Sequence, residues 1–201
     1  MRLVRVTIGY LVCCICLAGA LMSQEGRLRG TFTAAPLGFG SGSGDAYSGT
    51  NPGPGIRLAG HGRVSPTIEL GISVDGTGLG LEGGGGDLLD FGVLFEVRTV
   101  RERSSRGGYV AAGRIGIASQ TLTSGVATSN RSGFTFGWSL GWRRYLSRRF
   151  ALEATISSRW SKYGDFETGG QTAANTGASG ILASFHLGLT YIERRESSLT
   201  H

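Results

Sequence analysis

Ten charged side chains recur at alternate positions of otherwise small or apolar segments: Arg57, Arg63, Arg98, Arg114, Arg143 and Arg159, with Glu69, Asp75, Glu96 and Glu153. Guanidinium and carboxylate at such spacing form charge-assisted, often bidentate pairs. A tight connection at 64–67 predicts a hairpin register that sets Arg57 opposite Asp75 and Arg63 opposite Glu69. The same reasoning across 101–108 brings Arg114 within reach of Glu96. Two chemistries suit paired charges in a confined space: a proton or ion path, and a structural plug. The plug is favoured, because closely confined charges must neutralise one another.

Other reactive groups are sparse. Cys13, Cys14 and Cys16 all fall in the first twenty residues. That stretch opens with Arg2 and Arg5, runs uncharged from Val6 to Ser23 and offers a small-residue site at Ala18-Gly19-Ala20. It is the layout of a secretory signal, expected over 1–23, with a membrane anchor helix as the alternative. A mature chain without cysteine has no disulfide frame, thiolate metal site or cysteine nucleophile. The remaining reactive side chains are His61, His186 and His201. The glycine-rich run at 76–87 lacks the Lys-Ser/Thr of a phosphate-binding loop and reads as a flexible loop. No cofactor or metal is expected.

Composition narrows the class. Glycine supplies 36 of 201 residues, against a usual ~7 %, without a collagen period. Lys162 is the single lysine, the other cations are arginine, and the net charge of +6 includes two arginines of the leader. That is too mild for a nucleic-acid partner, and no basic stripe interleaved with aromatics is present.

Strict alternation defines the elements that must position these groups. Segments 56–64, 67–75, 90–100, 109–119, 132–146, 150–160 and 181–192 each place apolar side chains on one face and Gly, Ser, Thr, Arg or Glu on the other. In 132–146, Phe134, Phe136, Trp138, Leu140 and Trp142 oppose Thr135, Gly137, Ser139, Gly141 and Arg143. An eighth strand is expected near 26–36, where Leu28, Phe32 and Ala34 alternate with Arg29, Thr31 and Thr33. Connections alternate between short ones (64–67, 101–108, 145–149) and long ones rich in Gly, Ser, Thr and Asn (37–55, 76–89, 120–132, 162–179). Short turns therefore share one end of an up-and-down sheet and long loops the other, with both termini on the short-turn side.

The fold class expected is all-β: an eight-stranded antiparallel up-and-down transmembrane β-barrel over 24–192, with a periplasmic tail over 193–201. The alternative is a secreted sandwich whose apolar faces meet each other. Strands of ~9–13 residues suit a tilted membrane crossing better than a globular sheet. The polar faces are too small and too poor in lysine and glutamate for a solvated surface. Aromatics gather as a girdle: Phe134, Phe136, Trp138, Trp142, Phe150, Trp160 and Tyr191, with Tyr109 and Tyr145 near strand ends. On this reading the apolar face meets lipid and the polar face lines the interior.

In these features the chain resembles the small eight-stranded outer-membrane β-barrels of the OmpA/OmpX and opacity-protein type. The C-terminal Phe185, Leu187, Leu189 and Tyr191 are similar to the last-strand signal by which the barrel-assembly machinery recognises its clients, although "ERRESSLTH" continues beyond. The resemblance implies a cell outer-membrane location, with outer-membrane lipid and lipopolysaccharide as surroundings, assembly by that machinery and a surface partner through the loops. Eight strands leave an interior filled by side chains, so a non-enzymatic structural or surface role is expected, with a narrow channel or carrier as alternative. A lipid A-modifying enzyme fits less well, since neither His61 nor His186 has the His-x-Ser arrangement of such deacylases.

Overall fold

The structure, a computed structural model, describes residues 30–104 and 106–193, the side chain of residue 104 excepted. The signal segment over 1–23, Leu28, Arg29 and the tail beyond Glu193 lie outside the described residues.

Eight long strands follow one another: β1 (Gly30–Ser43), β2 (Gly53–Arg63), β3 (Ile68–Leu81), β4 (Asp87–Ser104), β5 (Gly107–Ser124), β6 (Ala127–Tyr145), β7 (Phe150–Tyr163) and β8 (Ala178–Ile192). Each pairs antiparallel with its neighbour in sequence. β8 returns to pair with β1, Phe32 facing Tyr191 and Phe39 facing Phe185, and the sheet closes. Closure leaves no unpaired edge. The single irregularity in the β1 ladders is a bulge between Ala34 and Leu37, where Pro36 sits. A residue with no backbone N–H is tolerated at such a break in pairing.

The two faces of the wall separate as period-two alternation requires. Outside stand Phe95, Val97, Tyr109, Ile115, Ile117, Phe134, Phe136, Trp138, Leu140 and Trp142, all substantially exposed. Inside are the buried charges, hydroxyls and glycines. On β5 and β6 the apolar outer band stops at one level, where Ile117 faces Phe134. Beyond it the outer pairs are Ser119 with Ser132, Thr121 with Asn130 and Thr123 with Thr128. The bare apolar belt thus ends while the β-structure continues.

Three expectations about the elements are corrected. The connections at 76–89 and 120–132 are mostly strand: β3 and β4 are joined by a turn at 82–86, β5 and β6 by residues 125–126. Their Ser, Thr and Gly residues continue the ladder because, above the apolar belt, the outer face of β5 and β6 turns polar while the lumenal face keeps Leu79, Leu88 and Ala118. β6 has 19 residues, roughly 60 Å at ~3.3 Å per residue, well beyond a crossing of ~9–11. β1 likewise runs on to Ser43 instead of ending near residue 36. Finally, Tyr145 stands on the lumenal side of β6, where its hydroxyl donates to Glu102 (3.0 Å), and is not part of the outer girdle.

The other long connections keep some irregular structure. Residues 44–52 hold a 3-10 turn, Asp45–Tyr47, and a short strand, Thr50–Asn51, that pairs with the end of β3. Residues 164–177 hold a hairpin, Phe166–Thr168 with Gln171–Ala173, leaning on β6.

Candidate functional site

The lumen is filled by three tiers of ion pairs. At the short-turn end, β3 carries Glu69 and β4 carries Arg98 directly opposite it. Arg98 Nε donates to Glu69 Oε2 (2.9 Å) and its Nη2 to Thr31 Oγ1 (2.7 Å). Its Nη1 crosses the lumen to Glu153 Oε1 on β7 (3.4 Å). Glu153 also accepts from Arg143 Nε and Nη2 (2.9 and 2.7 Å), its neighbour in register on β6. Arg63 reaches Glu69 Oε1 (3.3 Å), but from the rim, its side chain 21 % exposed.

The middle tier centres on Glu96, which is fully buried. Arg57 Nη2 donates to both of its oxygens (2.8 and 2.9 Å), Arg114 Nε lies 2.7 Å from Oε1, and His61 Nε2 lies 2.8 Å from Oε2. As the carboxylate can only accept, His61 is the donor there. Arg114 also binds Asp75 and, through Nη2, Ser73 Oγ (3.0 Å). Arg57 does stand opposite Asp75 and Arg63 opposite Glu69 in the β2/β3 ladder, and Arg114 opposite Glu96 in the β4/β5 ladder. Yet the Arg57 guanidinium turns to Glu96, with Nε 3.8 Å from Asp75. A long side chain inside a closed wall chooses among carboxylates of several strands.

The third tier lies at the loop end, where Arg159 meets residues the alternation analysis passed over. Asp90, on β4, is wholly buried. It accepts from Tyr47 Oη (2.7 Å), Tyr163 Oη (2.6 Å), Gln120 Nε2 (3.1 Å) and Arg159, which reaches it from β7. Arg131 caps the tier: Nε donates to Gln120 (2.7 Å), Nη2 to the Ala46 carbonyl (3.1 Å) and Nη1 to the Thr176 carbonyl (3.0 Å). Its guanidinium also stacks 4.2 Å from the Phe166 ring centre. Extending the β4 alternation one step back from Gly92 would have found Asp90. Gln120 and Arg131 were lost to the loop assignment of 120–132.

Tyr47 closes this end. It comes in on the 3-10 turn, and its ring lies where a Cβ on Gly42 or Gly180 would stand, 2.3 and 2.7 Å from ring atoms. Glycine at both positions makes room for the plug. Burial, with Tyr163 beside it, holds the Tyr47 phenol well above its usual pKa. Leu79, Leu88, Ala118 and Leu182 pack with it as an apolar layer, so Leu79, within the 76–87 run, is core and not flexible loop.

Among the described residues, leaving Arg131 aside as the cap, five buried arginines (57, 98, 114, 143, 159) balance five buried carboxylates (69, 75, 90, 96, 153). His186 is also buried on the lumenal face of β8, and neither of its ring nitrogens has a hydrogen-bond partner. Of the outer-face set, Phe136 packs on Trp160 (5.2 Å between centroids) and Phe150 on Tyr191 (5.6 Å, edge-on). Phe185 and Leu189 face outward on β8 with Tyr191, and Leu187 lies between them on the same side. Among the described residues, no group of three His, Cys, Asp or Glu could hold a metal ion.

No protein-family model matches the chain, and no curated protein matches it. Solved structures do. Neisserial surface protein A is similar over 82 % of this chain and 96 % of its own, at TM-score 0.61 and 12 % identity. Ail, the attachment invasion locus protein of Yersinia pestis, is similar over 82 % and 98 %, at 0.53 and 13 %. The outer membrane protein AlkL is similar over 85 % and 93 %, at 0.50 and 11 %. The closed ring of eight antiparallel strands, its apolar outer belt and these likenesses agree: the chain has the fold of the small eight-stranded outer-membrane β-barrels.

Proposed function

We propose that the protein is a plugged, non-enzymatic barrel of the outer membrane, which stiffens or anchors that membrane and meets partners through its loop end. The observation that carries this reading is the balanced interior. Arg98 to Glu153 and Arg159 to Asp90 join strands that are not neighbours, so the side chains span the bore. An ion would have to displace paired charges, each worth several kcal/mol of desolvation. Both barrel histidines are engaged or enclosed in the lumen, away from the outer wall where a lipid ester would lie. The extended β-structure above the apolar belt gives the loop end a rigid surface for contact. Ail, one of the similar structures, carries attachment in its name. Outer-membrane lipid and lipopolysaccharide surround the belt, and the Phe185–Tyr191 face of β8 is the segment offered to the barrel-assembly machinery.

The test is conductance of the refolded protein in planar bilayers. Insertion, scored by a heat-dependent shift on SDS gels, should come without stable conductance steps. Sustained, reproducible steps would overturn the plug in favour of a narrow channel.

A further inference from the structure

The outer wall at the short-turn end carries a patch unlike the rest of the belt. Arg101 on β4 stands opposite Tyr109 on β5, which stands opposite Trp142 on β6. One row nearer the turns, Gly107 pairs with Arg144 on β6 and with Ser104 on β4, and Arg103 stands in the bulge between Glu102 and Ser104. Arg101, Arg103 and Arg144 are exposed, and so are the two rings. Arg103 Nη1 lies 3.3 Å from Tyr109 Oη, which ties cation and ring into one surface. Gly107 has no room for a side chain: a Cβ there would lie 2.4 Å from the Arg143 carbonyl.

The carboxylate that lies between two of these arginines in sequence does not neutralise this patch. Glu102 turns to the lumenal side, where it accepts from Tyr145 (3.0 Å) and lies 4.0 Å from Arg63. Three guanidiniums are left beside two amphipathic rings, at the depth where the apolar belt gives out. Rings of this kind settle at the level of lipid headgroups, and arginine offers planar, bidentate donors to phosphate oxygens.

From this geometry we infer that the outer face of β4–β6 at the short-turn end is a binding site for the phosphodiester headgroup of an anionic glycerophospholipid. The lipid belongs to the membrane leaflet on the turn side. Its phosphate lies among Arg101, Arg103 and Arg144, and its glycerol and upper acyl chains lie along Tyr109 and Trp142. The inference rests on the membrane reading above. It adds a specific lipid to a belt that otherwise accepts any acyl chain.

Fluorescence quenching tests it. Trp138→Phe with Trp160→Phe leaves Trp142, inside the patch, as the only tryptophan. This protein is folded into phosphatidylcholine vesicles containing a minor share of either brominated phosphatidylglycerol or brominated phosphatidylcholine. Phosphatidylglycerol should show at least about a fivefold preference at Trp142, the gain of one arginine near an anionic lipid. Added salt should lower that preference, and R101Q/R103Q/R144Q should abolish it. Equal quenching by the two lipids in a barrel that shows the heat-dependent gel shift overturns the site and leaves the membrane reading intact. So does a preference that survives the triple substitution. A protein with no heat-dependent shift in either vesicle overturns the membrane reading, and this site with it.

Discussion

Removing Glu69 isolates the value of one buried pair. The carboxylate is 1 % exposed and accepts from Arg98 Nε (2.9 Å), from Arg63 (3.3 Å) and from Thr31 (3.4 Å). In Glu69→Ala, Arg98 keeps Thr31 at 2.7 Å and Glu153 at 3.4 Å, so its charge is not wholly stranded. Breaking a buried pair costs ~3–5 kcal/mol, and the surviving Glu153 contact places this one near the lower end, about 3 kcal/mol. Arg63→Ala cuts a contact to the same carboxylate, but from a side chain 21 % exposed at the rim, where a pair contributes ~0–1 kcal/mol. Replacing both buried partners, Glu69→Leu with Arg98→Met, should recover much of the loss, because no buried charge is then left unpaired, Glu153 keeping Arg143. The assay is urea unfolding of the barrel in lipid vesicles, followed by tryptophan fluorescence and by the heat-dependent gel shift. Equal destabilisation by Glu69→Ala and Arg63→Ala would refute the account of the tier. A double variant as unstable as Glu69→Ala alone would refute the stranded-charge argument.

Adjacent positions on β6 test the two faces. Leu140, exposed on the belt, should lose ~2–4 kcal/mol as arginine if it lies at the bilayer midplane, read as a lower urea midpoint in vesicles. Ser139→Arg, into the filled lumen, should instead depress the yield of heat-shifted barrel in detergent as well as in lipid. A second contrast uses glycine: a Cβ on Gly71 would lie 2.1 Å from the Gly60 carbonyl and 2.5 Å from His61 Cδ2, whereas one on Gly60 meets nothing within 4 Å. Gly71→Ala should therefore cost ~1–3 kcal/mol through overpacking and Gly60→Ala should not, with unfolding midpoints as the readout. At the loop end, Tyr47→Ala removes an aromatic plug at a cost of about 3 kcal/mol. It should speed hydrogen exchange at Leu79, Leu88 and Leu182, while Tyr47→Phe, which keeps the ring, should leave their exchange slow.

The fold was legible because a barrel wall is a local code. Each strand writes its two faces in alternate residues, and each tight turn sets the register of the two strands it joins. Phe134 to Trp142 and Thr135 to Arg143 separate on inspection, and a turn at 64–67 is enough to seat Arg57 opposite Asp75 and Arg63 opposite Glu69. Alternation loses its contrast where the wall leaves the apolar belt and its outer face turns polar. For that reason the ends of β3 to β6 read as loops in the sequence, and Gln120 and Arg131 with them. Partner choice in the lumen is beyond any local rule. Arg57 prefers Glu96 to the Asp75 opposite it, Arg98 reaches Glu153 and Arg159 reaches Asp90, because ring closure brings strands distant in sequence within one side-chain length. Within the apolar belt, sequence alone determined which side chains line the interior. Only the closed wall decided which of them meet.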